Sequence, residues 1–186
     1  MVIIGITGTS GAGKNTVVDY LVKEHSFNHY SVSEFLTNIL REQNKNIDRD
    51  NLANLANKLR KKYGSEYIVK TIIKRALKTN NSIVIESIRN SSEVKFLKTF
   101  KNFYLFSIDA NPKIRYKRIL KRGSEKDKVT YQDFLVSEKK EMKSNNPAKQ
   151  NISACMQQAD FRFLNNGRLE KLHKEVEEAL RKIEVK

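Results

Sequence analysis

Apolar residues in this chain come in two spacings that alternate along its length. Val2, Ile3, Ile4 and Ile6 make a short, nearly continuous apolar run, the pattern of a strand buried on both faces. Val17, Val18, Leu21 and Val22 then recur at helical spacing, in a segment expected to end near His25 and Ser26. Residues 27 to 32 hold aromatic and β-branched side chains and read as a second strand. Ser33 and Glu34 open a helix whose apolar stripe is Phe35, Leu36, Ile39 and Leu40. After the polar break from Asn44 to Asp48, Asp50 is the expected N-cap of a helix carrying Leu52, Leu55, Ala56 and Leu59. Gly64 interrupts that pattern, and residues 68 to 77 form another helix.

The second half repeats the alternation. Residues 82 to 86 read as a buried strand ending in an acid, 91 to 99 as a helix, and 103 to 109 as a strand. Asn111 and Pro112 begin a helix that carries Arg115, Arg118 and Arg122 and stops at Gly123. Residues 124 to 128 are short and polar, 130 to 143 helical and strongly charged, and Asn145-Asn146-Pro147 a break before a helix from 149 to 158. A fifth strand over 160 to 164, a turn at Asn165-Asn166-Gly167, and an amphipathic helix from 169 to 183 close the pattern. Strands alternating with helices imply an α/β fold in three layers, a five-stranded parallel sheet between helices. Ligands of such sheets bind beyond the carboxyl ends of the strands. That rule puts residues 8–16, Ser33-Glu34, Glu86 to Arg89 and the segment from Asp109 on one rim. No internal repeat or linker divides residues 1–186, so one domain is expected.

Composition narrows the classes. The chain has 186 residues, 39% of them apolar, which suits a globular domain with a proper core. No apolar run approaches membrane-spanning length, and the opening run lacks a basic leader, so it reads as a core strand rather than a signal peptide. A lone cysteine, Cys155, makes neither an intrachain disulfide nor a metal cluster, and a reducing cytoplasm is the expected location. The net charge of +15 raises nucleic-acid binding as a reading. However, 25 of the 36 basic residues are lysines dispersed along the chain, which equally fits solvated faces and a positive field for polyphosphate substrates.

The sharpest chemistry follows the first strand. Gly8-Thr9-Ser10-Gly11-Ala12-Gly13-Lys14 satisfies G-x-x-x-x-G-K, in which small residues let successive N–H groups converge on phosphate oxygens. The following helix adds its N-terminal dipole and Lys14 a full charge. Asn15 stands where a Ser or Thr ordinarily ligates magnesium, with Thr16 one place later, so either could hold a metal directly or through water. This substitution, and the absence of an Asn-Lys-x-Asp guanine motif, argue against a GTPase. Glu86 and Asp109 both end apolar strands and compete for the metal-side role. Glu86 is favoured because Arg89 stands three residues on, while Asp109 also suits a helix cap. Arg118 and Arg122 share a helical face beside a polar break and could close over a transferring phosphoryl, or form a solvated basic face. Lys139 and Lys140 could contribute from the next helix.

These motifs together resemble the P-loop nucleoside and nucleotide kinases of the adenylate-kinase type, near the small dephospho-CoA-kinase-like proteins. Gly11-Ala12-Gly13-Lys14-Asn15-Thr16 is similar to the G-A-G-K-x-T loop of adenylate kinases. Glu86-Ser87-Ile88-Arg89 resembles the family's acid–Gly–x–Arg loop, and the Arg118/Arg122 pair its entry to the lid. Residues 159 to 167 resemble the late strand and turn near the donor base. The resemblance implies a P-loop NTPase fold with an acceptor-binding helical segment over about 33–78 and a short lid over about 118–140.

It also implies ATP as donor, held by Gly8, Ser10, Gly11, Ala12, Gly13, Lys14, Asn15, Thr16 and Arg118. Mg2+ would lie near Asn15, Thr16 and Glu86. Lys14, Arg89, Arg118 and Arg122 are the implied catalytic residues, and Ser33, Glu34, Arg41, Glu86 and Arg89 the acceptor side. Thr37 falls where an adenylate kinase offers an arginine, and Arg41 one turn on is the substitute. The expected activity is γ-phosphoryl transfer to a nucleoside monophosphate or similar phosphorylated acceptor, in a monomer or homodimer. Phosphorylation of a ribose hydroxyl, as in dephospho-CoA kinases, and a nucleotide-binding regulator or RNA-associated ATPase are the alternatives.

Overall fold

The computed structural model describes residues 1–123 and 129–184. The polar connection expected over 124 to 128, within the lid, lies outside the described residues. The first strand, β1 (Ile3–Gly8), is buried along its whole length, and the turn after it leads into α1 (Lys14–His25). Next come β2 (Asn28–Ser31), α2 (Val32–Glu42), α3 (Arg49–Tyr63), α4 (Tyr67–Ala76), β3 (Ile83–Glu86), α5 (Ser91–Leu97) and β4 (Phe103–Asp109). The chain continues through α6 (Pro112–Arg122), α7 (Tyr131–Met142), α8 (Ile152–Gln157), β5 (Phe161–Leu164) and α9 (Leu169–Glu184). The sheet runs β2-β3-β1-β4-β5 with every pair parallel. This is the five-stranded parallel sheet, with helices on both sides, that the alternating pattern implied.

Because successive strand residues face opposite sides, β1 feeds two cores. Ile3, with Ile83, Ile85 and Leu105, packs against α2, α3, α4, α5 and α8. Ile4 and Ile6, with Val84, Phe106 and Ile108, pack against α1 and α9. The strand order sets β1 between β3 and β4, so the turn after β1 lies beside the ends of both neighbours.

Several details differ from the sequence reading, and the shifted helix starts have a capping reason. α3 is capped by Asp48, whose Oδ1 accepts from the Asn51 N–H at 2.7 Å, and Asp50 lies inside its first turn. α2 begins at Val32, because Ser31 rather than Ser33 caps it by accepting from the Glu34 N–H at 3.1 Å. Val22, expected on the apolar stripe of α1, is 37% exposed. The helix expected from residue 149 starts only at Ile152, after the Asn151 cap, and residues 144 to 151 form a fixed loop. Carbonyls in that loop accept from the core: Asn90 Nδ2 donates to Pro147 O and Lys149 O at 2.6 and 2.9 Å.

The Arg60–Glu93 ion pair ties α3 to α5 in the interior. Arg60 Nη2 lies 2.8 Å from Glu93 Oε1, and the two side chains are only 1% and 0% exposed. Arg60 Nη1 also donates to Ala148 O at 3.5 Å, joining the fixed loop to the same anchor.

Candidate functional site

The turn between β1 and α1 is shaped by close approaches that only glycine permits. A Cβ at Gly8 would lie 1.9 Å from the Ile108 carbonyl oxygen on β4. Gly13, at φ +100°, would place a Cβ 2.3 Å from Asn165 Nδ2. Asn165 itself braces the turn, donating through Nδ2 to Ala12 O at 2.8 Å. It comes from the turn after β5, where its own N–H donates to Asp109 O at 2.8 Å.

Lys14, the first residue of α1, bends back across this turn. Its Nζ donates to Thr9 O at 2.7 Å and Gly8 O at 3.1 Å, and the residue is 9% exposed. Burial, and after it the Arg89 charge, bring its pKa down to about 8 against the opposing pull of Glu86 and Glu141.

Glu86 ends β3 and is 8% exposed. Its Oε1 accepts from the Ser31 hydroxyl and its Oε2 from the Ser87 hydroxyl at 2.6 Å. Ser87 has φ +65°, so the position matched to glycine in the acid–Gly–x–Arg pattern does need left-handed backbone. Here a serine takes it and holds the acid. Arg89 lies 4.0 Å from Glu141 Oε2, an ion pair across the cleft to α7.

Asp109, the competing acid, sits behind the phosphate turn. It accepts from the Thr9 hydroxyl at 2.5 Å and from the Ala110 N–H at 2.8 Å. The cap of α6 is instead Asn111, whose Oδ1 accepts from the Lys113 N–H at 3.0 Å. Asp109 therefore anchors the turn rather than capping a helix.

On the lid side, Arg118 reaches toward Ala12 O and Asn165 Oδ1, both at 3.5 Å. Arg122 lies on the same wall. Arg115 is buried instead: it donates to Ala110 O at 2.7 Å and Ser10 O at 3.3 Å, and grips both oxygens of Glu138 on α7, one at 2.8 Å. It thus joins the phosphate turn to α7. Lys139 and Lys140 are exposed and do not line the cleft, so the basic contribution expected from α7 gives way to Glu141.

All of these walls enclose one cleft of about 760 Å³, a size that suits a nucleotide-class ligand. Ser10, Gly11, Gly13, Lys14, Asn15 and Thr16 line it from the turn and the start of α1, and Ser33, Glu34 and Arg41 from α2. Glu86 and Arg89 line it from the end of β3 and the segment after it, and Arg118 and Arg122 from α6. Gly8 and Ala12 act through the backbone, their carbonyls accepting from Lys14 and Asn165. Arg41 donates to Asn38 Oδ1 at 3.2 Å within its own helix.

Sequence reasoning missed Arg49, which reaches Ser10 Oγ at 3.2 Å from the first turn of α3, as well as Glu141 and Gln150 in the lining. It placed the Asn165 turn near the donor base by resemblance, without the brace that Asn165 gives the phosphate turn. Nothing in local spacing separates these residues from ordinary surface polar groups. No cluster of three His, Cys, Asp or Glu suited to a metal occurs among the described residues. Asn15, Thr16 and Glu86 are nevertheless hard oxygen donors lining one cleft, the donor type that a divalent cation bridging phosphates takes. Cys155 is buried, and burial raises its thiol pKa to about 12, which leaves it unreactive. No helix among the described residues is long and apolar enough to cross a membrane.

A family model described as an AAA domain matches residues 4–146, about three quarters of the chain. A UPF0200 protein of Methanocaldococcus jannaschii is 27% identical over 186 residues, covering 98% of this chain and 91% of the relative. Among solved structures, TT1252 from Thermus thermophilus aligns with a TM-score of 0.65 at 18% identity, over 97% of each chain. Shikimate kinase from Aquifex aeolicus aligns with a TM-score of 0.56 at 15% identity, over 99% of each chain. The fold is that of the P-loop kinases.

Proposed function

This chain belongs to the AAA domain family, and we propose from that premise that it is an ATP-dependent kinase acting on a nucleoside monophosphate or a similar phosphorylated small molecule. The observation that carries the reading is the placing of cations on facing walls of one cleft. Lys14, Arg118 and Arg122 stand on the donor and lid sides, and Arg89 and Arg41 on the acceptor side. Two anionic substrates brought together need that arrangement, since transfer between them depends on positioning and charge stabilisation more than on covalent help.

In the proposed reaction an acceptor oxygen attacks the γ-phosphorus of ATP, the bond to the β–γ bridging oxygen breaks, and ADP leaves with that electron pair. The backbone N–H groups of the glycine turn and Lys14 neutralise the leaving charge, Arg118 and Arg122 cover the moving phosphoryl, and Arg89 orients the acceptor. Mg2+, held among Asn15, Thr16 and Glu86, would add charge neutralisation on the phosphates. A hydroxyl acceptor is the second reading, favoured by Glu34, an exposed carboxylate on the acceptor wall that could take a hydroxyl proton.

A panel of monophosphates, dephospho-CoA and RNA, incubated with labelled ATP, tests the assignment. The expected result is labelled product with a phosphorylated small acceptor, lost in Lys14→Ala and reduced on the order of a hundredfold in Arg118→Ala. ATP hydrolysis stimulated only by RNA and weakened steeply by salt would overturn it in favour of a nucleic-acid partner.

A further inference from the structure

The cations of the cleft attract any small anion; they do not choose among acceptors. Choice is sharpened by a neutral hydrogen-bonding group, and one lines the cleft together with Arg89. Among the described residues, four buried side-chain polar atoms have no hydrogen-bond partner, and two of them belong to residues lining the cleft: Arg89 Nε and Gln150 Oε1. The other two, on Asn57 and Glu93, lie outside that lining.

A loosely held loop could turn such a group to solvent, but the loop carrying Gln150 is bound from several directions. Asn90 holds Pro147 O and Lys149 O, at 2.6 and 2.9 Å. The Asn151 side chain donates to Ser144 O at 2.9 Å, and the Asn151 N–H donates to Arg89 O at 2.8 Å. This last bond ties the residue after Gln150 to the Arg89 backbone. The nearest acid to Arg89 Nε, Glu141 Oε2 at 4.0 Å, is beyond hydrogen-bond reach. A buried acceptor and a buried donor, both unsatisfied, thus belong to residues that line the same cleft. Protein interiors rarely keep such groups without a partner.

We propose that Gln150 is a specificity-determining residue, whose carboxamide oxygen accepts a hydrogen bond from an O–H or N–H group of the acceptor close to the anionic group that Arg89 holds. The inference rests on the kinase reading above and adds the discriminating group to it. The acceptor class it selects is a phosphorylated molecule carrying a hydroxyl or amine near its phosphate end, and analogues lacking that group are rejected because Gln150 is then left buried and unpaired.

The test is calorimetric binding to the full chain with a non-hydrolysable ATP analogue present. The probes are paired, each pair differing by one sugar hydroxyl: AMP against 2′-deoxy-AMP, AMP against 3′-deoxy-AMP, and CMP against 2′-deoxy-CMP. Wild type should prefer one member of a pair by about tenfold to a hundredfold. Gln150→Met, which keeps length and removes the acceptor, should erase that preference, while Gln150→Glu, which keeps an oxygen acceptor, should retain it. ATP-analogue affinity and melting temperature should be unchanged in Gln150→Met. A preference that survives in Gln150→Met, or equal binding of every pair by wild type, overturns the inference and leaves the kinase reading standing. Failure of wild type to bind any monophosphate overturns the acceptor class, and the inference with it.

Discussion

Lys14 gives the most direct test of how the phosphate turn is tuned. Its pKa of about 8 arises from burial and from the neighbouring Arg89 charge. If only the ammonium form receives a polyphosphate, the apparent dissociation constant scales as 1 + 10^(pH − pKa). Affinity for an ATP analogue should then fall about tenfold between pH 7 and pH 9, and about tenfold more by pH 10. A lysine at its ordinary value of 10.5 would show almost no change by pH 9. The sign also holds for stability. A lowered lysine pKa disfavours the folded state wherever the group is charged in both states, so the penalty is present below pH 8 and disappears as pH rises toward 10.5. That penalty is on the order of 3 kcal/mol, and an anionic ligand offsets it. The assay is a pH series of analogue binding for wild type and Lys14→Arg in parallel. The arginine stays charged throughout and so corrects for titration of the ligand itself. Wild-type affinity that tracks the arginine variant to pH 9.5 would refute the reasoning.

Two further outcomes follow from the packing. Arg60→Met should destabilise the protein by about 3–5 kcal/mol, because Glu93 is left charged in the interior, and Arg60→Met/Glu93→Gln should recover much of that loss; both are read from denaturant midpoints. Equal stability of the single and double variants would show that the pair does not act as a unit. Gly13→Ala should cost about 2–4 kcal/mol and abolish analogue binding, since it combines a positive φ with a collision against Asn165. Retained binding in a folded Gly13→Ala protein would mean that the turn need not keep this shape.

The sheet and its order of elements were legible because β1, β3 and β4 are dense apolar runs. The intervening helices carry apolar stripes that leave the short, polar β2 and the alternating β5 as the remaining extended segments. β4 and α6 came out with the expected limits, the latter because Asn111, Pro112 and Gly123 mark its ends chemically. Ends marked by two plausible caps were misread: Ser31 was hidden inside an apparent strand, and Asp48 lay beside Asp50. The donor half of the site was legible for a related reason, as a cradle built from one continuous stretch writes its requirement into adjacent residues. The rest of the cleft is assembled from α2, α3, the β3 end, α7 and the 144–151 loop, so its members are far apart in sequence. Ser87 illustrates the difference. Its backbone performs the glycine's part, yet only the fold reveals that its hydroxyl also holds Glu86. Glu138 and Glu141 lie in a strongly charged helix, where no local pattern distinguishes them from solvated acids.

Those two acids give α7 a constraint of helical phase. Glu138 meets Arg115, which touches the phosphate turn, while Glu141 faces Arg89 on the acceptor side. They are three residues apart, so one turn of helix addresses both halves of the cleft. A single-residue insertion between them would rotate one acid about 100° relative to the other, so α7 could keep either its Arg115 contact or its Arg89 contact, but not both. Across relatives, length changes should therefore accumulate on either side of this turn and be absent within it.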